Sequence, residues 1–508
     1  MDTNDLESYS SEQIWAHLSE AENEEKVDLL IELYHRSYSD SEYIQAASLA
    51  EQAAVEAAKC MSNLRVENAY YKQGIALSRA ERYEDAIAAY TQGLNAYQEP
   101  DSKVELSKNQ WGIAAALYDS RRYEEAVDWA HKSADSAASE EAFSIAGLSK
   151  FLEGRALYMA DNEEAAIAAC EEARSFRRNE QELEEVAEID AFLGDIYSYL
   201  GNYSESVNLL RNCLVIADAT SSGKVPLYCY KLGNALIDSG ELLEAREHLE
   251  RARKLYSERE DHGSVADCCF SLSRTYRGPE GLDDALSLSR TAASLWDAIG
   301  YNRAYLSALQ RIAILLYSKE EYYSSIENNR RIMEMTKDFS AHPDNADAYG
   351  WALLRMVDCY RVLDEDQTSL DFMDSTDLFG PDSTHSANLW FYSLKARALF
   401  ELNRHEEALG VADTGLSLTG NDDVSDWTAS LYAVKAEVSM EQNRPDKERH
   451  LAHAIALLLA FDRPVHASRL SEYFKPDFSP KKQDNILTDE ANETIRGGDL
   501  PGFGFTAS

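Results

Sequence analysis

Residues 69–96 read AYYKQGIALSRAERYEDAIAAYTQGLNA, and this stretch decides the fold. Small residues stand at Gly74 and, twelve positions later, at Ala86, with Leu77 between them. Apolar residues recur with helical spacing on both sides of the polar turn at 80–82. Two helices can cross closely only where their side chains are small. The stretch therefore predicts a helix–turn–helix unit whose helices meet at Gly74 and Ala86.

The same pattern recurs along most of the chain. With Gly74 as the anchor, the equivalent positions are Tyr34, Gly74, Ala114, Gly154, Gly194, Gly233, Ser273, Ala313, Val357, Ala396 and Ala436. The residue twelve positions further on is Ala46, Ala86, Ala126, Ala166, Ser206, Ala245, Ala285, Ser325, Ser369, Ala408 or Glu448. Most steps span 40 residues, and the one step of 44 residues, from Ala313 to Val357, predicts a loop insertion around 342–344. A register held from residue 26 to residue 463 predicts about eleven helical hairpins.

This pattern resembles the tetratricopeptide repeat (TPR) superfamily, whose units carry small residues at their eighth and twentieth positions. The 40-residue unit is similar to the longer units of Pins-type spindle-orientation adaptors, as are LGD at 193–195 and LGN at 232–234. The closing proline of the 34-residue consensus is missing, and the turns DEDQTSL (364–370) and NRPDKER (443–449) are degenerate. The resemblance implies an all-α fold, a right-handed α-solenoid (superhelix) with one continuous core.

The two ends differ from the array. Residues 1–25 form a polar segment with a capping helix near 11–21, where Ser10 and Gln13 match a capping box. Ile14, Trp15 and Leu18 are expected on one face of that helix. Residues 464–508 hold four of the ten prolines, and helical periodicity ends near residue 475. We expect a cap end and a flexible tail there, which is inert, a linear motif, or a segment that folds back into the array.

Composition excludes several classes of function. The 508 residues carry 49 Lys and Arg against 90 Asp and Glu, a formal net charge of −41. This charge repels polyanions, so nucleic-acid binding is not expected. The longest apolar runs, 312–317 and 454–461, are far shorter than the roughly 20 residues that span a bilayer, so no membrane segment is expected either.

Compartment and redox state follow from the start of the chain and from its cysteines. MDTND is polar and acidic, with no signal-peptide pattern. The seven cysteines, at 60, 170, 213, 229, 268, 269 and 359, are scattered without a CxxC pair. They are typical of small buried hydrophobic residues in a reducing compartment. The sequence therefore predicts a cytoplasmic protein.

Nothing in the sequence predicts catalysis. The phosphate-binding, zinc-protease and nucleophile-elbow motifs are absent, and no cofactor is expected. His450 and His453 are three residues apart on a predicted helix, but no third ligand is near them in sequence. Solvated helix histidines are the more ordinary interpretation, so no metal site is expected.

The resemblance implies a partner-binding concave groove built from the first helix of each unit. Positions one and four past the anchor face that groove and are rich in Arg, Asn and Tyr, which anchor interfaces well. The candidate groove residues are Arg155, Asn234, Arg274, Arg277, Arg361, Arg397, Tyr118, Tyr158 and Tyr317. They favour an acidic or carboxylate-bearing protein or peptide. In the alternative interpretation, the arginines neutralise Asp and Glu on neighbouring units.

A second series lies three positions before the anchor: Tyr71, Trp111, Phe151, Tyr230 and Phe270. These aromatic residues pack between repeats, or they line the groove; packing is the more common role of such residues.

The leading functional hypothesis is a non-enzymatic scaffold or adaptor that binds partner segments in the groove. The alternatives are a regulator gated by a peptide and a structural subunit of a larger assembly.

Overall fold

The computed structural model describes residues 6, 8–96, 103–179, 182–339, 342, 344–379, 387–418, 426–442, 444, 450 and 454–455. In these ranges the regular elements are 22 α-helices and short 3₁₀ turns. The chain divides into unit 1, Met1–Ser239, and unit 2, Gly240–Ser508. The predicted all-α fold is confirmed for the described residues.

Unit 1 contains the first twelve helices. They are α1 (Ser11–Leu18), α2 (Asn23–Ser39), α3 (Tyr43–Lys59), α4 (Asn63–Arg79), α5 (Tyr83–Ala96), α6 (Lys103–Asp119), α7 (Tyr123–Ala138), α8 (Phe143–Met159), α9 (Glu163–Asn179), α10 (Leu183–Tyr199), α11 (Tyr203–Thr220) and α12 (Val225–Ser239). From α2 to α12 each helix packs on the next along the chain, so five consecutive hairpins stack in order.

Unit 2 begins with α13 and continues the same alternation. Its helices are α13 (Leu242–Glu258), α14 (His262–Arg274), α15 (Leu282–Ile299), α16 (Asn302–Ser318), α17 (Tyr322–Thr336), α18 (Asn345–Val362), α19 (Asp366–Asp374), α20 (Asn388–Glu401), α21 (His405–Ser417) and α22 (Asp426–Glu441). A 3₁₀ turn, Pro279–Gly281, stands before α15. Four hairpins, α14/α15 to α20/α21, stack in sequence here and α22 follows them.

The small residues of the repeat lie where the pattern predicts. All ten described residues at the twentieth repeat position, from Ala46 to Ala408, have no exposed surface. At the anchor, a Cβ added to Gly74 would lie 2.5 Å from Tyr90 Cε1, a ring atom on the second helix. Added to Gly154, it would lie 2.5 Å from Cys170 Sγ. Glycine is needed at these anchors because larger side chains from the facing helix fill the crossing.

The turn between the helices of a unit has its own repeated geometry. The residue seven positions past the anchor has positive φ in nearly every described unit, for example Glu81 (φ 59°) and Arg121 (φ 64°). Gly201 and Gly240 occupy the equivalent positions with φ of 75° and 88°. A single left-handed residue ends the first helix and lets the second fold back after a two-residue turn.

The N-terminal cap is largely as predicted. In α1 the Ser10 hydroxyl accepts from Gln13 N, and the Gln13 side chain accepts from Ser10 N, which completes the capping box. Ile14 and Leu18 are buried. Trp15 is 44% exposed, so its predicted place on the packed face is wrong. Successive residues of a helix are rotated by about 100°, so the Trp15 side chain, one position after the buried Ile14, points toward solvent.

The loop insertion and the cysteines also agree with the sequence. Residues 337–344 separate α17 from α18, at the 44-residue step. Six of the seven cysteines are buried and Cys60 is half-buried, as expected of small hydrophobic residues. Burial raises the pKa of the Cys170 and Cys213 thiols to about 12. The predictions for Glu448, His453 and the segment 464–508 concern residues outside the described ranges.

Candidate partner-binding face

In unit 1 the structure brings two candidate residues together. Arg155, on α8, lies with its guanidinium 4.7 Å from the ring centroid of Tyr118, on α6. Its Nη2 also donates to the Tyr118 hydroxyl at 3.3 Å. Both side chains are half-buried, so a cation–π pair joins the first helices of consecutive hairpins while leaving both residues partly open to solvent.

Next to this pair is a cavity of about 160 Å³ between α6, α8 and α10. It is lined by Trp111, Leu148, Phe151, Leu152, Arg155, Arg177, Glu185, Glu188 and Ile189. Within the described part of the chain, the buried Trp111 Nε1 has no hydrogen-bond partner. An indole N–H only donates, so an acceptor atom of a bound segment that reached Trp111 would satisfy it, and the volume suits one large side chain.

Two more candidates take part in contacts within unit 1. The Tyr158 ring packs edge-on against Phe192 at 5.6 Å and against Tyr199 at 6.1 Å, so it extends the aromatic surface from α8 to α10. Asn234, on α12, donates from Nδ2 to the carbonyl of Tyr230 at 3.1 Å. That bond lies within one helix and leaves the amide oxygen of Asn234 for other groups.

Two candidates in unit 2 are buried. Tyr317 is 3% exposed and donates its hydroxyl to Asp358 Oδ2 at 2.6 Å. Burial, with the nearby Asp358 carboxylate, raises the pKa of Tyr317 well above its usual range. Arg361, also 3% exposed, donates from Nη2 to Asp358 Oδ1 at 3.1 Å. Tyr317 thus joins α16 to α18 through this carboxylate, and Arg361 binds it from within α18. Both side chains offer little surface to a partner.

Arg397 is buried in the same manner. Its Nη1 lies 2.5 Å from Glu437 Oε2 on α22 and 3.5 Å from Glu401 Oε1 on its own helix. Its guanidinium also lies 5.4 Å from the centroid of the Phe400 ring. Burial raises the pKa of Glu437, whereas Arg397 lowers it. Arg397 therefore pairs with an acid of the next unit, as the alternative interpretation describes, whereas Arg361 pairs with Asp358 on its own helix.

The remaining two candidates lie at the end of α14. Arg274 is the last residue of the helix and is half-buried. Arg277 is exposed in the connection after it, so the expected place on the first helix is wrong. The Gly278-Pro279 pair explains this, because proline disfavours the helical conformation of the residue before it and Gly278 has φ 79°.

The sequence interpretation missed a basic series two positions before the anchor: Lys72, Lys231, Arg311 and Arg355. Lys72 Nζ lies 3.4 Å from His35 Nε2. Lys231 forms an ion pair with Asp195. Arg311 donates from Nη2 to the carbonyl of Ser273 at 3.1 Å. These three basic residues each reach the first helix of the preceding hairpin, a signal that the repeat alignment already contains. Arg355 instead donates to Asn329 Oδ1 at 3.4 Å, on the second helix α17.

The aromatic series three positions before the anchor packs partly between repeats, as predicted, and partly within one hairpin. The Phe151 ring lies 5.7 Å from that of Phe192 on the next hairpin, whereas Tyr71 and Phe270 contact the second helix of their own hairpin. The Tyr71 ring lies 5.8 Å from that of Tyr90, and the Phe270 ring 5.4 Å from that of Trp296. Trp111 and Phe151 combine both roles, because they pack in the core and also line the cavity of unit 1. The series is therefore chiefly structural.

In the described ranges no group of three or more His, Cys, Asp or Glu residues is arranged to hold a metal ion. None of the helices described is both long enough and apolar enough to cross a bilayer.

No family model matches the chain, and no curated protein matches it. Among solved structures, a signal-transduction ATPase with a tetratricopeptide repeat sensor from Pyrococcus horikoshii aligns at 15% identity and TM-score 0.48, over 72% of this chain and 50% of that one. The apo form of RapI aligns at 12% identity and TM-score 0.41, over 59% and 99%.

A third solved structure is a putative kinesin light chain from Podospora anserina with nearly identical TPR-like repeats. It aligns at 19% identity and TM-score 0.35, over 39% of this chain and 98% of that one. The evidence for the fold is in the chain itself, in hairpins that repeat mostly at 40-residue steps. A buried Ala or Ser stands at the second crossing position of each of the ten units described there, and a small residue at most anchors. By these hairpins, the chain is a TPR-like helical-repeat protein.

Proposed function

We propose that this chain is a protein-interaction scaffold or adaptor, acting in the cytoplasm, that binds segments of a partner protein on the first helices of its hairpins. The cavity between α6, α8 and α10 is the observation that carries this proposal. It combines apolar walls, the unpaired Trp111 N–H and the half-buried Arg155. A peptide with a large apolar side chain beside a carboxylate suits this combination.

The arginine next to the cavity gives the proposed ligand its acidic character. Arg155 uses one donor on the Tyr118 hydroxyl, and a guanidinium has five. The acids in the lining, Glu185 and Glu188, belong to α10, and Glu188 is engaged by Lys224 Nζ at 2.7 Å. An acidic group next to an apolar anchor would therefore bind on the α8 side of the cavity.

The test compares partners captured by the wild-type chain and by two matched variants. Leu148 lines the cavity and is 42% exposed, so Leu148→Asp places a charge in the site without disturbing the core. Val215, on the second helix α11, is 68% exposed and outside the cavity, so Val215→Asp is the control. We expect Leu148→Asp to lose partners that Val215→Asp retains, as measured by affinity purification with quantitative mass spectrometry.

Circular dichroism on both variants must first show wild-type helicity. Identical partners in all three samples would refute binding at the cavity. A peptide-gated regulator remains the second candidate, since a pocket for one side chain also suits a short free peptide. Isothermal titration with peptides cut from the captured partner separates the two: a free peptide that binds as tightly as the whole partner favours the regulator.

A further inference from the structure

One lysine on the first helices of unit 1 meets a histidine where its counterpart meets an acid. Lys72, on α4, and Lys231, on α12, both stand two positions before an anchor, and both are half-buried. Each reaches the residue one position past the anchor of the preceding hairpin. For Lys231 that residue is Asp195, and the two form an ion pair. For Lys72 it is His35, on α2, whose Nε2 lies 3.4 Å from Lys72 Nζ.

The described contacts of the Lys72 ammonium group include no carboxylate. Besides His35, its Nζ lies 5.5 Å from the centroid of the buried Tyr34 ring, near the limit of about 6 Å for a cation–π contact. Glu32 stands three residues before His35, but Arg36 Nε donates to its Oε1 at 2.7 Å. Most other lysines in the described ranges form ion pairs with Asp or Glu.

A carboxylate and an imidazole have different effects on a neighbouring amine. The carboxylate stabilises the ammonium form, which is not a nucleophile. A neutral imidazole stabilises that form far less, and it can accept a proton from it. Partial burial, together with the charge of Lys72, lowers the pKa of His35 below its usual value, although Glu32 opposes the shift. Burial also lowers the pKa of Lys72. At neutral pH His35 is therefore a base beside an amine that loses its proton readily.

We propose that Lys72 is a site of Nε-acylation by an activated acyl donor, either a thioester or an acyl phosphate. His35 Nε2 takes one proton from the ammonium group, and the neutral Lys72 amine attacks the acyl carbon. The N–C bond forms as the C–S or C–O bond breaks, and the thiolate or phosphate leaves with the electron pair of that bond. The amide nitrogen gives its extra proton to the leaving group, and His35 releases the first proton to water.

The position of the pair permits this reaction. His35 is exposed and Lys72 is half-buried, so a small acyl donor reaches both from solvent. Acylation removes the positive charge of the lysine, as it does at any lysine. The pair joins α2 to α4, whereas the cavity of the proposed function lies between α6, α8 and α10. Either proposal can therefore fail without the other.

The experiment measures the acetylation rate of each lysine in the full chain at pH 7.5 by peptide mass spectrometry. The donors are S-acetyl-N-acetylcysteamine, a thioester, and acetyl phosphate. Lys231 is the internal control, since it has the same repeat position and is also half-buried. We expect Lys72 to react about tenfold or more faster than Lys231, because a positioned base speeds proton removal and an ion pair opposes it. Selectivity with one donor identifies its class, and selectivity with both supports either source. Equal rates with both donors would overturn the proposal.

Exchange of the two partners tests the part played by the imidazole. His35→Asp gives Lys72 the kind of partner that Lys231 has, and should slow its acetylation about tenfold, to the rate of Lys231. Asp195→His makes the reverse exchange and should speed the acetylation of Lys231.

His262→Gln is the control for these exchanges, since His262 is exposed at the start of α14 in unit 2 and should leave both rates unchanged. Circular dichroism checks that each variant is folded, and the exposed position of His35 makes His35→Asp the safer exchange. A folded His35→Asp variant whose Lys72 reacts as fast as in the wild type would overturn the proposal.

Discussion

Replacing Glu67 with glutamine should make the protein more stable above neutral pH. Glu67, on α4, is 2% exposed, and its Oε1 accepts from Asn109 Nδ2 on α6. Glu67 Oε2 and Asn109 Oδ1 are both buried and, in the described part of the molecule, have no partner. Two unpartnered acceptors in one buried site lack a donor, and a proton on the Glu67 carboxyl supplies one.

The magnitude follows from the pKa. Burial, and secondarily the charge of Glu105, raises the pKa of Glu67 from 4.5 to about 7, although Asn109 and Lys108 oppose the shift. Because the folded state holds the proton more tightly than the unfolded state, stability is greatest below pH 4.5 and falls as pH rises toward 7. A shift of about 2.5 units at 1.36 kcal/mol each costs about 3 kcal/mol above pH 7.

The assay is urea denaturation followed by circular dichroism, at pH 5 and pH 8. Glu67→Gln keeps the shape, supplies an amide donor and never ionises. Its advantage over the wild type should therefore be near 1 kcal/mol or less at pH 5 and about 3 kcal/mol at pH 8. Glu51→Gln, an exposed position on α3, is the control and should show no such pH dependence. An advantage of Glu67→Gln that is the same at both pH values would refute the reasoning.

Two further predictions concern packing. Gly74→Ala should destabilise the protein by about 1–3 kcal/mol, because the added Cβ would overlap the Tyr90 ring. Gly410→Ala has open space around the added Cβ, so it should be neutral or stabilise the protein by about 0.5–1 kcal/mol. Thermal denaturation of the two variants checks this, and equal effects would contradict it. Glu437→Ala should cost about 3–5 kcal/mol because it leaves Arg397 buried without its main partner. The double variant with Arg397→Leu should recover part of that loss in urea denaturation, and no recovery would show that packing, not charge, is responsible.

Much of the fold was predictable because helix crossings leave a mark on the sequence. A crossing tolerates only small side chains, so its position shows as Gly, Ala or Ser at a fixed step. The burial of Ala46 and its equivalents confirms this without exception in the described units. Trp15 was misplaced because a one-residue step on a helix changes the face, and the sequence offers no second residue to correct it.

The candidate site was less predictable. The repeat alignment placed Tyr118 and Arg155 on adjacent first helices, and they do meet. It could not distinguish them from Arg397, which occupies the same repeat position as Arg155. Both arginines have an acid 40 residues further on, Asp195 for Arg155 and Glu437 for Arg397. Asp195 pairs with Lys231 instead, whereas Glu437 pairs with Arg397. Whether a basic residue on this face is held in an ion pair thus depends on which of several bases the acid contacts, and repeat spacing does not settle that.

The sequence by itself determined the repeat: its step, its helices, the capping box at Ser10 and the loop insertion around 342–344. These are properties of backbone geometry and local spacing, and each needs only residues close together in the chain. The tertiary structure alone decided which polar groups are compensated. It paired Asp195 with Lys231 and Glu437 with Arg397, although both acids stand one position past an anchor. Compensation depends on the distances between side chains of neighbouring hairpins and on burial, and neither is encoded in any single repeat.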